Sequence, residues 1–310
     1  MTALEAVAGY LPPRSIPVAE LGEDLGLPPE QIKVFQRFYG LSHIVREPGG
    51  TVDDLLLSAA GKLDALRGRE EQVRYVVQAR TMPVVSPYPV VPVQEIARSL
   101  GLAHATSFAL FPHACASGLL AVDMCGKLLA ADGDPDALAL VLTGEKTFTR
   151  SAKLVPGTAV NGEGAAAILV GTGGDHDRML GYATRTYGQF NAALSLAPDV
   201  FAEFQRLYGA GLAEVMRAAA ERAGLTLDDI DLILPHNVNR VSWVRLCKQA
   251  GIPVDRVFLE NVPVTGHCFC ADPFLNYQAA HDTGRLKPGD HYLMAAVGLG
   301  ATFSAMVFQH

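Results

Sequence analysis

The chain has 310 residues, 49% hydrophobic and 18% charged, with a formal net charge of −7. Such a composition can fill a large buried core and lies far from that of disordered chains. An acidic balance with no run of Lys or Arg excludes phosphate-backbone binding through a basic face, so no nucleic-acid partner is expected.

In chain order, the opening Met1–Pro13 has neither the basic stretch nor the apolar core of a signal peptide. No window reaches the roughly 18 uninterrupted apolar residues of a spanning helix, so a cytoplasmic protein without a membrane partner is expected. Strands are predicted at 75–79, 106–111, 139–143, 165–170, 231–234, 256–259 and 291–297. Helices are predicted over 117–131, 201–223, 242–250 and 272–283. Near-continuous apolar strands alternating with helices indicate an α/β fold whose sheets are covered on both faces.

The order of elements occurs twice. Each copy runs strand, loop, helix, strand, a Gly-x-Gly-Ala turn and a last strand, with the turns at Gly162-Glu-Gly-Ala165 and Gly298-Leu-Gly-Ala301. The segment from Thr172 to Asp177 reads as the linker, dividing the chain into an N-terminal half, 1–174, and a C-terminal half, 175–310.

Five cysteines, an odd number without metal-ligand spacing, argue against a disulfide framework and against zinc, and no metal or cofactor is expected. Attention falls on Cys115, which follows an apolar strand and opens a helix. Unpaired N–H groups there favour a negatively charged sulfur. A buried cysteine acting as a small hydrophobe is the competing reading. His236 follows a buried strand ending in Pro235, where ligands sit in α/β folds, although a lone histidine there is more often structural. His267 lies in the loop that corresponds, in the second copy, to the loop bearing Cys115. If a pseudo-twofold axis relates the copies, the two loops face each other.

Five motifs in order, Gly9–Leu21, Ala114-Cys-Ala-Ser-Gly118, Gly162–Ala165, Pro235-His-x-x-Asn239 and Gly298–Ala301, resemble the ketoacyl-ACP synthase III (FabH-type) branch of the thiolase-fold condensing enzymes, end to end. The resemblance implies a thiolase-type αβαβα sandwich of two similar halves and a homodimer. In it, the proline-rich segment 81–92 would lie at the interface. It also implies Cys115 as the acyl-accepting nucleophile, His236 as a catalytic histidine, and an oxyanion hole from the backbone N–H groups of Cys115 and Gly300. Gly300 is expected to be glycine because close approach excludes a Cβ. Asn239 would orient the His236 loop. An acyl-CoA or acyl carrier protein thioester would be the donor.

The chain departs from the family pattern at two places. His267 stands where the branch carries asparagine, which makes a Cys-His-His site. Phe38 stands where the coenzyme A site carries arginine, which favours a carrier-protein donor. The expected reaction is ping-pong transfer through acyl-Cys115. Its second step is a decarboxylating Claisen condensation with a malonyl thioester, helped by two neutral imidazoles. The alternative is transfer to a hydroxyl or amine, with one imidazole as general base.

Overall fold

The computed structural model describes residues 1–83, 85–86 and 89–310. Nine strands form the main sheet. The first five are β1 (Ala3–Tyr10), β2 (Val73–Ala79), β3 (Thr106–Leu110), β4 (Leu138–Gly144) and β5 (Ala165–Gly171). The others are β6 (Arg178–Thr186), β7 (Leu232–Pro235), β8 (His291–Gly298) and β9 (Thr302–Gln309). The longer helices are α1 (Pro29–Arg37), α2 (Val52–Ala60), α3 (Pro92–Ser99) and α4 (Ser117–Asp132). They continue with α5 (Pro198–Arg222), α6 (Arg240–Ala250) and α7 (Asp272–Asp282).

The spatial order is β7-β8-β9-β6-β1-β5-β4-β2-β3. In the first half β2 runs parallel to β3 and β4, whereas β4, β5 and β1 are successively antiparallel. The second half repeats this pairing: β7 is parallel to β8, and β8, β9 and β6 are successively antiparallel. Between the halves the sheet is joined at a single paired position, Ala3 with Arg178. The strand expected at 256–259 is reduced to one bridge from Val257 to Ile233. Pro253 and the 3-10 turn Val254–Arg256 consume the residues that would have extended it.

Side-chain alternation sorts the strands into layers. Leu140 and Leu142 of β4 pack outward with Leu55 and Leu56 of α2 and Ile96 of α3. Val141, between them, faces inward, into a core shared with Leu119 and Val122 of α4 and Phe274 of α7. From the other side Met294 of β8 enters the same core, while Leu293 and Val297 face Met216 of α5 and Trp243 of α6. The order is therefore α2/α3, sheet, α4/α7, sheet, α5/α6: a five-layered thiolase-type sandwich of two pseudo-equivalent halves. The stretch Ala114–Asp132 is long and apolar enough to cross a bilayer, and it is the helix at the centre of this sandwich. Its low amphipathicity follows from the burial of nearly every side of its N-terminal turns, while Lys127 and residues 130–132 at its other end are exposed.

The 172–177 linker is pinned rather than loose. Buried Asp177 accepts hydrogen bonds from the Tyr277 hydroxyl (2.6 Å) and the Tyr292 hydroxyl (2.9 Å), and pairs with His310 Nδ1 at 2.8 Å. Of the segment expected at a dimer interface, Val84, Pro87 and Tyr88 lie outside the described residues.

The turn that carries Cys115 rests on Gly298, where an added Cβ would collide with the carbonyl of His113. Gly298→Ala is expected to cost at least about 2 kcal/mol, because neither backbone can retreat. Gly173→Ala, whose Cβ meets nothing within 4 Å, should cost under about 0.5 kcal/mol. Urea midpoints of the two variants make the comparison.

Candidate active site

Cys115 lies in a 3-10 turn, Ala114–Ala116, between β3 and α4, and is 6% exposed. Its neighbour Ala114 is held at φ +45°, a left-handed conformation that an alanine adopts only when its surroundings impose it. The sulfur sits 3.4 Å from His267 Nε2 and accepts a hydrogen bond of 3.4 Å from the Thr81 hydroxyl. Across 152 residues of sequence, the two corresponding loops thus meet at one point.

Behind His267 stands a residue that the sequence reading missed. Asp272, fully buried in the first turn of α7, bonds His267 Nδ1 at 2.5 Å through Oδ2. Its carboxylate also accepts from the backbone N–H of Cys268 (2.7 Å) and of Asn237 (2.5 Å). Burial alone would push the His267 pKa down. The Asp272 carboxylate and then the Cys115 sulfur outweigh it and raise the pKa to about 10. His267 is therefore an imidazolium at neutral pH, donating from Nδ1 to Asp272 and from Nε2 to Cys115.

His236 follows β7, its ring centroid 6.1 Å from that of His267. Complete burial, and then the positive charge of His267, push its pKa down to about 3, so it is neutral. The expectation of two neutral imidazoles is corrected here: the carboxylate of Asp272 separates the pair into one charged and one neutral ring. His236 Nε2 meets the hydroxyl of Tyr208, from the middle of α5, at 2.8 Å, and the backbone of Ala295 bonds the ring, drawing its pKa up against the burial. The Pro235–Asn239 loop is held by buried Asn276, which donates to Pro235 O (2.7 Å) and Asn237 Oδ1 (2.8 Å). Asn239 caps α6, its Oδ1 accepting from Ser242 N at 2.7 Å, and donates from Nδ2 to Thr158 O at 2.9 Å.

Gly300 stands at φ +139°, and a Cβ there would meet nothing within 4 Å. That backbone angle, which L residues rarely adopt, is itself a requirement for glycine. Buried Glu145 accepts from the N–H groups of Thr81 (2.6 Å) and Met82 (3.0 Å), so it fixes the segment that brings Thr81 to the sulfur. Burial raises its pKa to about 7 against those bonds and Arg80. Phe38 is 51% exposed and lies against the Arg245 guanidinium, 5.8 Å from its ring centre.

Two cavities converge on Cys115. One, of about 450 Å³, is lined by Phe201, Phe204, Val238 and Leu299 together with His236, His267 and Tyr208. The other, of about 510 Å³, is walled by Thr81, Met82, Phe111 and Phe269 and reaches the sulfur from a second side. Such apolar walls around a few convergent polar groups suit an acyl chain ending in a thioester. Among the described residues, no group of three or more His, Cys, Asp or Glu is placed to hold a metal ion.

Residues 220–310 match the family model for the C-terminal part of 3-oxoacyl-[acyl-carrier-protein] synthase III. A beta-ketoacyl-[acyl-carrier-protein] synthase III of Streptomyces coelicolor is 26% identical over 333 aligned positions, which cover 98% of this chain and 96% of that protein. Over nearly its whole length the chain is thus similar to the ketoacyl-ACP synthase III (FabH-type) proteins. Among solved structures, the 3-oxoacyl-[acyl-carrier-protein] synthase III of Aquifex aeolicus superposes with a TM-score of 0.84 at 21% identity, covering all of both chains. ChlB3, described as an acyltransferase, superposes with a TM-score of 0.87 at 22% identity over 99% of this chain and 97% of its own. At those identities the structural matches speak for the thiolase fold alone. This ketoacyl-ACP synthase III-type chain is accordingly an enzyme of the condensing or acyl-transferring kind.

The sequence signal for Asp272 was an acidic residue opening a helix five positions beyond His267. Tyr208 carried no signal, because within α5 it reads as one more apolar-face residue. The ion pair also generates a prediction. Burial pushes the Cys125 thiol up to about 12 and raises Cys268 and Cys270 as well, so iodoacetamide should alkylate Cys115 first. Asp272→Asn should slow that alkylation at least about tenfold at pH 7, since His267 then loses its reason to stay charged beside the sulfur. Because the folded pKa of His267 lies above its unfolded value, its contribution to stability is complete below about pH 6.5 and is lost as pH rises through about 10. In Asp272→Asn that loss on the alkaline side should disappear from urea titrations taken between pH 6 and pH 10.5.

Proposed function

We propose that the enzyme takes an acyl group from a thioester onto Cys115 and passes it to a hydroxyl or amine acceptor. The carrying observation is the chain Cys115–His267–Asp272. In the first half-reaction the sulfur attacks the thioester carbonyl, the bond to the donor's sulfur breaks, and the departing thiolate takes the Nε2 proton of His267. The imidazole left behind is neutral, and Asp272 keeps its remaining proton on Nδ1. Its Nε2 then offers a lone pair towards the acyl-enzyme. That is a general base: it accepts the proton of an attacking O–H or N–H, the bond to Cys115 breaks, and the starting ion pair is restored. The backbone N–H groups of Cys115 and Gly300 serve as the oxyanion hole in this reading, each typically contributing about a hundred- to a thousand-fold in rate.

A decarboxylating condensation with a malonyl thioester is the second reading, favoured by the names of the curated relatives and by the neutrality of His236. It requires hydrogen-bond donors around the developing enolate, and a neutral His267 held by Asp272 presents an acceptor there instead. That difference reverses the preference drawn from the sequence. The reading includes a homodimer and a CoA or carrier-protein thioester as donor.

Intact-mass measurement should show one acyl adduct on the wild type after incubation with a medium-chain thioester, and none on Cys115→Ala. The acyl-enzyme is then given malonyl thioester labelled at its free carboxyl, or simple alcohols and amines. Transfer to the latter without labelled carbon dioxide is expected, and Asp272→Asn should slow that transfer at least about a hundredfold while leaving an adduct. Labelled carbon dioxide from the wild type would replace transfer by condensation.

A further inference from the structure

We propose that Cys115 and Cys270 are joined by hydrogen peroxide into a reversible disulfide, a modification site built around the turn that holds Cys115. Cys270 has no part in the acyl transfer described above, and the inference does not depend on which acceptor that transfer uses.

The two sulfurs meet at one group. The Thr81 hydroxyl oxygen lies 3.4 Å from Cys115 Sγ and 3.4 Å from Cys270 Sγ, so the sulfurs are no further apart than twice that distance. A change of rotamer about one Cα–Cβ bond carries a sulfur through roughly 3 Å. Cys270 Sγ also donates to Ala114 O at 3.1 Å, the carbonyl of the peptide that leads into Cys115. Its backbone packs on the first turn of α4, where a Cβ on Gly118 would stand 3.0 Å from Cys270 O and 3.6 Å from Cys270 Cβ. Among the described residues no other cysteine sulfur shares a partner with Cys115. That of Cys268, two residues away, contacts Thr265 O instead.

The thiols differ in access and in charge, and the difference fixes the order of events. Both cavities reach Cys115, whereas Cys270 lines neither and is 1% exposed. Hydrogen peroxide entering either cavity meets the sulfur paired with the His267 imidazolium. That sulfur attacks one peroxide oxygen, the O–O bond breaks, and the departing hydroxide takes the Nε2 proton of His267 to become water. Cys115 is then a sulfenic acid. Burial, and then the charge on Cys115, hold the Cys270 thiol well above its ordinary range. Oxidation of Cys115 removes the second of these causes, while the Gly118 N–H in the first turn of α4 continues to favour a thiolate. The Cys270 sulfur attacks the Cys115 sulfur, the S–O bond breaks, and the leaving hydroxide departs as water with the Cys270 proton. Two electrons have passed from the sulfurs to one peroxide, giving a disulfide, two waters and a neutral His267.

The test exposes the whole protein to a small excess of hydrogen peroxide, blocks the remaining thiols with iodoacetamide in urea, and maps the non-reduced peptides by mass. A peptide pair joined through Cys115 and Cys270, lighter by two hydrogens than its separate parts, is expected. Dithiothreitol should then return Cys115 to a form that iodoacetamide labels. In Cys270→Ala the sulfenic acid has no partner and advances to the sulfinic acid, so labelling of Cys115 after dithiothreitol should fall at least about threefold below that of the wild type. Should the variant not fold, the linkage found in the wild type decides alone. Wild-type Cys115 that stays reduced, that gains oxygen while Cys270 remains free for alkylation, or that joins Cys268 instead overturns the proposal. Equal recovery of labelling in the wild type and Cys270→Ala overturns it as well.

Discussion

The buried carboxylate of Asp272 is the constraint around which the rest of the molecule is arranged. A lone carboxylate at zero exposure would be prohibitively desolvated, and it persists only because every side is answered. Two backbone N–H groups point at it, from Cys268 in its own loop and from Asn237 in the loop after β7, and the third partner is the cationic ring of His267. Removing any one would leave charge unbalanced where water cannot reach. A single acidic side chain thus fixes two loops and the ionic state of a histidine. Through that histidine it also fixes the environment of a sulfur on the opposite half of the fold.

The same charge explains why two histidines of equal burial behave in opposite ways. The Asp272 carboxylate offsets the desolvation of His267, and among the described residues no carboxylate bonds the ring of His236. The positive charge on one ring adds to the burial of the other, so the difference between them is self-reinforcing: pKa values of about 10 and about 3. The Cys-His-His cluster therefore holds one charged imidazole on a carboxylate beside one neutral imidazole on a phenol.

Much of this was legible in the residues. Cys115 announced itself through an apolar strand passing directly into a helix, and His267 through its place in the repeated order of elements. Both inferences depended on periodicity and position, which short-range physics encodes well. What was not legible depended on contacts between distant segments. Asp272 looked like an ordinary acidic helix start, since nothing local shows which ring lies against it. Tyr208 satisfied the helical pattern of α5 as any large apolar residue would. The reduced strand near Val257 failed for a local reason, a proline and a tight turn that a β-rich run of four residues could not override. At Gly300 the positive backbone angle could not be read beforehand, because it and the close approach expected there leave the same mark in a sequence.

Among the described residues the half-sheets share one paired position, Ala3 with Arg178, and the candidate site is divided between them: the Cys115 sulfur follows β3 and the His267 imidazole precedes α7. The gap of 3.4 Å between the Cys115 sulfur and the His267 imidazole is consequently a measure of how the two halves sit against each other. The core that Leu119 and Val122 of α4 share with Phe274 of α7 helps to hold that gap, together with the backbone bonds at the seam from Leu4 N to Asp177 O and from Met179 N to Thr2 O. The middle of the sandwich acts as a gauge block for the chemistry at its edge. Repacking it by a methylene would alter reactivity through displacement alone, even where neither the sulfur nor the ring had a changed neighbour.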